Sequence, residues 1–418
     1  MPANTTTPAA RAALESAAGT GKIRDATAAD EVAGVRPTWV AAAAGTEDVS
    51  AILRAAAEHE LTVVPRGSGS KLDWGAAPRS ADLLLDLSTD SGIVEHAAGD
   101  LVLSARAGTP LATLHATAAE AGQQLPIDPP ARTATAGGVV ATATSGPGRY
   151  FFGGVRDLLI GITVVRADGT VTTSGGKVVK NVAGYDLGKL YTGSFGTLGV
   201  ITEVVFRLHP LAAEHRWISS TVEGAADAAA IVDTYRHCQA MPTAIELDRP
   251  EPGGAITVSA QLEGRPDATH DRAEALARDV GGTVTDRTPD WWGQHPFGPA
   301  DNALRLGAEP AALTALLTAT DRAAADTGLS PALRGAAGLG VLHAGLPADA
   351  DPRAVADLVA ALRDRLDYAV LERGTAAVRD ALDPWGPQPA GIRSLTRRIK
   401  DHFDPGHRLA PGRFAGGI

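Results

Sequence analysis

The sequence predicts an α+β protein of more than one domain. Three observations carry this. Residues 39–64 read as strand, helix and strand in succession. Turn signals at Gly99-Asp100 and Asp168-Gly169 split 93–106 and 159–173 into strand pairs. From about residue 215, helical patterns alternate with short strand candidates between Pro- and Gly-containing turns. At ~100–200 residues per domain, 418 residues suggest two to four domains.

In chain order, residues 1–22 are rich in Ala and Thr without a strong apolar period, so a frayed tail with at most a short helix is expected. Order begins at Trp39-Val40. Thr46 reads as an N-cap, with Glu47 and Asp48 at the positive end of the helix dipole. Val49, Ile52, Leu53 and Ala56 recur at helical spacing, and Leu61 to Val64 read as a buried strand that delivers the chain into Pro65-Arg66-Gly67-Ser68-Gly69-Ser70-Lys71. Leu83-Leu84-Leu85 is a further strand, Thr109-Pro110 opens a helix to about Glu120, and Val200 to Leu208 is a strand closed by His209-Pro210. Helical patterns follow at 225–239, 309–326 and 352–366, with strands at 255–261 and 366–371. No internal repeat is visible. The division expected is a tail (1–35), a first domain (36–212), a second α+β domain (213–393) and a C-terminal tail (394–418) that returns to the first.

Composition excludes several classes. Lys plus Arg is 38 against 48 Asp plus Glu, a formal charge of −10, and no long basic run marks a nucleic-acid footprint. No apolar run approaches the ~20 residues of a membrane span, and no signal peptide is visible, so a cytoplasmic protein is expected. Cys238 is the single cysteine, which excludes an intramolecular disulfide and a Cys-rich metal or iron–sulfur site. Six lysines remain among the basic residues: Lys22, Lys71, Lys177, Lys180, Lys189 and Lys400. Two readings stand: an Arg-biased genome, or retention of Lys where a compact cation is useful.

Four segments carry the chemistry. Residues 65–71 place two glycines and two serines after a buried strand, with Arg66 and Lys71 adding charge; backbone N–H groups there can surround an anion, although an ordinary tight turn would look the same. Residues 128–146 are almost devoid of large side chains, as a flexible linker or a backbone pressed against a flat ligand would be. The third segment is 175–187 and the fourth 193–203. Seven of the twelve Phe and Tyr residues fall within 150–206, where they fill a core or line a site.

In order, spacing and wording these segments resemble the FAD-binding domain of the vanillyl-alcohol oxidase superfamily, the PCMH-type fold, over roughly 36–210. The resemblance implies an FAD-binding domain of two α/β subdomains followed by an α+β cap domain with an antiparallel sheet. It implies FAD contacts from Arg66, Gly67, Ser68, Gly69, Ser70 and Lys71; from Thr135, Ala136, Gly137, Gly138, Ala141, Thr142, Ser145 and Gly146; and from Gly199, Val200 and Ile201. More closely, R-G-S-G-S-K (66–71), G-K-V-V-K-N-V-A-G-Y-D-L (176–187), G-S-F-G-T-L-G (193–199) and F-D-P-G-H-R-L-A-P-G-R (403–413) resemble the FAD-binding subunits of bacterial glycolate oxidases. Phe195 stands where many single-chain relatives carry Glu.

Two departures from the superfamily matter. Ser70 replaces the His that links FAD covalently in some relatives, which implies noncovalent FAD. The H-x-G-D-G-N-x-H stretch of D-lactate-type relatives is reduced to one histidine, His343, in G-V-L-H-A-G-L. His343, Lys180 and Tyr185 are the candidates for catalysis; Lys180 also reads as loop-shaping, His343 as a structural residue, and no metal ligands are expected. The implied role is the FAD-binding subunit of a glycolate oxidase or dehydrogenase type of complex. It would oxidise a small 2-hydroxy acid such as glycolate or D-lactate, with a second flavoprotein subunit and an iron–sulfur subunit, peripheral to the inner membrane through those partners. The alternatives are a self-sufficient flavin oxidase or dehydrogenase, and a non-catalytic interaction subunit.

Overall fold

The computed structural model describes residues 7–19, 21–131, 133–176 and 185–418. Contacts divide the chain into two compact units. The first comprises Met1–Thr144, Gly154–Leu211 and Pro387–Ile418; the second comprises Ser145–Gly153 and Ala212–Gly386.

The first unit holds two main sheets. In the four-stranded one, Leu83–Asp86 lies between Trp39–Ala42 and Val63–Arg66 and is parallel to both, and Ile23–Asp25 pairs antiparallel with Trp39–Ala42. The strand–helix–strand run of 39–64 is therefore real, but its two strands are not neighbours. The Leu83-Leu84-Leu85 run, buried on both faces, takes the central place, where a continuous apolar run belongs. The helix Thr46–Glu58 turns Val49, Ile52, Leu53 and Ala56 into the core. Its N-cap is Gly45 rather than Thr46, because Asp48 accepts the Ala44 N–H at 3.1 Å while the Thr46 hydroxyl bonds Thr202 Oγ1 at 2.9 Å.

The expected N-terminal tail is folded from Thr7. Thr7 caps a helix over Pro8–Ala18 that has Pro at its first turn, and Ala10 and Leu14 pack fully buried in the core beneath the helix Thr46–Glu58. Its alanines leave the apolar pattern faint, so packing rather than amphipathic contrast holds this helix in place.

The second sheet is antiparallel, in the order Ile93–Ala97, Val102–Arg106, Val200–Arg207, Leu159–Val165, Val171–Gly175. Leu111, Leu114, Val139 and Val140, from the helices Leu111–Glu120 and Ala136–Thr142, pack in the same core as its central strand.

The chain's last residues also belong to this unit. Val63 N–H donates to Arg408 O and Ala410 N–H to Val63 O, each at 2.8 Å. Lys400, on the helix Ala390–Phe403, is fully buried. Its ammonium donates to Thr197 O (2.7 Å), Asp404 Oδ2 (2.6 Å) and Leu409 O (2.9 Å). Three acceptors around one point suit a compact ammonium better than a planar guanidinium. Burial pulls the Lys400 pKa down, against the opposing pull of Asp404.

The second unit is one eight-stranded antiparallel sheet. Its strands and helices form two successive strand–helix–strand–strand–helix–strand runs. The first run has strands Glu214–Val222, Ala244–Arg249, Ile256–Gly264 and Thr283–Thr285; the second has Asn302–Gly307, Ala332–Ala336, Val341–Leu346 and Tyr368–Arg373. Across the sheet the order is fourth, first, third, second, then second, third, first, fourth. Ala244–Arg249 and Ala332–Ala336, the second strands of the two runs, join the halves through Leu247↔Gly335 and Asp248↔Arg334. A split βαβ module thus occurs twice, a repeat of topology that leaves no trace in the wording of the sequence. Ile231, Leu276, Leu316 and Leu358 represent the four long helices in its core. No described helix is long and apolar enough to cross a membrane.

Replacing Lys400 with Met leaves the Asp404 carboxylate buried without its cation, at a cost of about 3–5 kcal/mol. The first unit's urea transition is expected to move to lower denaturant in Lys400→Met, and Lys400→Met/Asp404→Leu to regain most of the loss.

Candidate functional site

In the first unit the sequence-predicted segments meet around an open groove of about 800 Å³. One wall is the loop 65–72, which leaves the strand Val63–Arg66. A second is Ala134, Thr135, Gly137, Gly138, Ala141 and Thr142, at and within the helix Ala136–Thr142. The third runs from Phe195 and Gly196 to Gly199, Val200 and Ile201, entering the central strand of the second sheet.

Local chemistry explains why the backbone can close in. A β-carbon at Gly67 would collide with Thr135 Oγ1, the oxygen that caps the neighbouring helix by accepting the Gly138 N–H at 3.3 Å. Gly196 has φ +73°, and a β-carbon there would lie 2.6 Å from Pro65 Cγ. The backbone at Gly67 thus sits against the Thr135 side chain and that at Gly196 against the Pro65 ring, which leaves small and hydroxyl side chains lining the groove.

Charge is distributed unevenly. Arg66 forms ion pairs with Asp30 at 3.0 Å and with Asp86, so its charge is spent on holding the loop. Asp30 also accepts two bonds from Arg24 at 2.7 Å and two from Thr27 at 2.9 Å. The Arg24 bonds, helped by Thr27 and Arg66, outweigh burial and hold the Asp30 carboxyl far below the ordinary range. Burial pushes the Asp86 carboxyl up, but Arg66 and Ser88 win, and its pKa is lowered. Lys71 is largely buried in the lining, its ammonium 5.5 Å from the centre of the Trp74 ring. No Asp or Glu lines the groove among the described residues.

Most of the predicted cofactor residues thus gather at one place: Arg66 to Lys71, Thr135, Gly137, Gly138, Ala141, Thr142, Gly199, Val200 and Ile201. Ala136 does not line the groove; it is buried beneath it, with its N–H on Thr109 O at 2.8 Å. Ser145 and Gly146 fall in the second unit. Leu87, Ala107, Ala134 and Arg413 line the groove without having been singled out, although Arg413 ends a motif that the sequence displays. Lys180 lies outside the described residues, and Tyr185 is 91% exposed.

The second unit carries its own polar cluster. His343 lies on the strand Val341–Leu346, between the core residues Leu342 and Ala344, so it takes the face opposite the helices. Cross-strand register sets Arg305 on one side of it and Arg334 on the other, with Asp248 beyond Arg334. His343 Nδ1 is 2.8 Å from Glu372 Oε2, and Arg305 Nε is 3.7 Å from the other carboxylate oxygen. Burial pushes the Glu372 carboxyl up, yet the neighbouring His343, Arg305 and His295 bring it down to about 2. An ionised Glu372 makes His343 Nδ1 the donor and leaves Nε2 as the acceptor. The His295 ring lies 4.7 Å from that of His343 and stacks on Phe297 at 4.4 Å. Arg334 pairs with Asp248 at 2.7 Å and lies over Trp291. No group of three His, Cys, Asp or Glu able to hold a metal occurs among the described residues.

Residues 37–175 match the family described as FAD binding domain. The chain is 41% identical over 157 residues to Glycolate oxidase subunit GlcE of Escherichia coli (37% of this chain, 44% of the relative). It is 33% identical over 216 residues to Glycolate oxidase subunit GlcD of Bacillus subtilis (51% and 46%). It is 38% identical over 165 residues to a D-lactate dehydrogenase of Archaeoglobus fulgidus (40% and 37%). The chain thus spans less than half the length of these relatives. Among solved structures, p-cresol methylhydroxylase with substrate bound covers 97% of this chain and 96% of its own, with TM-score 0.76 at 17% identity. An alkyldihydroxyacetonephosphate synthase covers 98% and 86%, with TM-score 0.74 at 16% identity. At such identities the likeness establishes the fold, which is the PCMH-type α+β fold the sequence predicts.

Two outcomes follow from the groove. Gly67→Ala forces the loop off Thr135 and is expected to weaken flavin binding by ~10-fold or more, read by titration of apoprotein, with far-UV circular dichroism unchanged. Because the folded pKa of Asp30 is depressed, its stabilisation is fully present above the unfolded value of ~4 and is lost as pH falls through and below it. Asp30→Asn is expected to lower stability at neutral pH and to flatten the acid limb of the stability–pH curve.

Proposed function

We propose, from the premise that residues 37–175 belong to the FAD binding domain family, that this chain is a flavoprotein taking part in oxidation of the CH–OH group of a small 2-hydroxy acid. The observation that carries the cofactor reading is the groove. Its first two walls sit so close that a β-carbon at Gly67 would collide with Thr135, and its lining pairs small and hydroxyl side chains with cations and, among the described residues, no carboxylate. These residues fit a dinucleotide diphosphate. FAD bound there would supply the acceptor for the hydride that leaves the substrate carbon.

Noncovalent binding is supported by the lining itself. Ser70 stands in the loop, and no His, Cys or Tyr lines the groove among the described residues. Cys238 lies in the second unit, where its thiol bonds Tyr235 O at 3.2 Å.

The substrate class is supported by the names of the relatives and by the chemistry of the second unit's cluster. A 2-hydroxy acid asks for a cation at its carboxylate and a base at its hydroxyl. Arg305, in register with His343 and 3.7 Å from Glu372, supplies the cation, while Arg334 on the other side is paired with Asp248 at 2.7 Å. Within the second unit Glu372 holds His343 through Nδ1, which turns Nε2 outward as the ring atom open to a proton. Membership of a glycolate oxidase type of complex, with a second flavoprotein and an iron–sulfur subunit as electron acceptor, is our reading of the likeness to GlcE; the single cysteine assigns any iron–sulfur relay to a partner.

The test is purification of the chain alone and with candidate partners, followed by absorbance spectra and turnover of glycolate and D-lactate. A yellow protein that releases FAD on denaturation is expected, with flavin bleaching by a 2-hydroxy acid alone or in the complex. A chain that takes up no FAD overturns the proposal. His343→Ala is expected to lower turnover by ~10²-fold or more at unchanged flavin content. Unchanged turnover removes His343 from the chemistry and returns it to a structural role.

A further inference from the structure

We infer that Arg413, which closes a turn begun at Ala410 in the C-terminal segment, binds the cofactor, its guanidinium holding the diphosphate of the FAD assigned to the groove. The inference rests on the FAD reading above, and the groove's charge leads to it. Among the described residues three cations line the groove: Arg66, Lys71 and Arg413. Arg66 is committed to Asp30 and Asp86. Lys71 lies against the face of the Trp74 indole. Arg413 is 3% exposed, and its Nη2 donates to Trp74 O at 2.6 Å, which fixes the plane of the guanidinium in the groove wall. A buried guanidinium in a lining with no carboxylate among the described residues is an environment made for an anion, and its planar fork matches two phosphate oxygens at once.

The C-terminal segment is held so that this fork stays in place. Arg408 and Ala410 pair with the backbone of Val63, in the strand that feeds the glycine–serine loop. The Lys400 ammonium ties Leu409 O to Thr197 O, behind the third wall. The Phe414 ring lies 6.3 Å from that of Phe195, on that same wall. Arg79 Nη1 donates to Gly417 O at 2.6 Å. The segment is thus fastened on both sides of Arg413 and bears on the first and third walls.

The experiment measures affinities of the full-length apoprotein for FAD and for riboflavin, which has the ring but no phosphate, at low and high salt. Arg413→Gln is expected to weaken FAD by ~10–100-fold, to reduce the salt dependence of binding and to leave riboflavin unchanged. Arg413→Lys is expected to restore part of the FAD affinity. FAD binding by Arg413→Gln equal to wild type overturns the assignment, as does an equal loss for FAD and riboflavin, which marks a structural role. Where Arg413→Gln does not fold, Arg413→Lys carries the test: it keeps the charge without the fork, so weaker FAD with unchanged riboflavin supports the assignment and equal FAD affinity overturns it. A wild-type chain that takes up no FAD overturns the cofactor reading together with this assignment, whereas wild-type uptake matched by Arg413→Gln overturns the assignment alone.

Discussion

A loop that offers backbone N–H groups to an anion cannot hold itself in shape, because its glycines and serines pack against little. Here the ion pairs of Arg66 with Asp30 and Asp86 supply the rigidity. Asp86 ends the central strand of the four-stranded sheet, Asp30 lies in the N-terminal segment, and Arg66 is the last residue before the glycines. Burying these charges costs solvation, and the cost is tolerable because every partner is a charge-assisted hydrogen bond. The consequence is electrostatic as well as mechanical. An arginine neutralised by two carboxylates positions the loop and has little net charge to offer the groove, which Lys71 and Arg413 also line.

The C-terminal segment obeys the same logic at the other side of the groove. Lys400 is a lysine in a chain that otherwise prefers arginine, and its setting gives a physical reason. Its ammonium has three oxygen acceptors converging on one point, with Asp404 balancing its charge. A guanidinium would not fit that geometry. The reading that lysine persists where a compact cation is useful therefore holds at Lys400, a residue no motif argument had selected.

In the second unit, duplication of a split βαβ module creates one wide sheet with helices on one face. Alternation along the strands then sorts the side chains: Leu342 and Ala344 go to the helices, while His343 goes to the other face, in register with Arg305 and Arg334. A histidine that looks isolated in the sequence thereby acquires a carboxylate 29 residues further on and two arginines from neighbouring strands.

What the sequence determined by itself was local. Glycines and small residues mark where backbone approaches backbone, so the groove's loop, the helix at Thr135 and the turn into Val200 were legible from residue type and spacing. Strand and helix identity followed wherever the apolar period was strong, as at Leu83-Leu84-Leu85 and in the helix Thr46–Glu58. Tertiary structure decided what depends on distant partners. It placed Leu83–Asp86 between two strands that are closer to each other in sequence, held an alanine-rich helix over Pro8–Ala18 by burial, gave Arg66 its carboxylates and brought Arg413 into the groove. It also revealed the repeat in the second unit, because topology is preserved by the packing of strands and helices while many different apolar residues fill the same core.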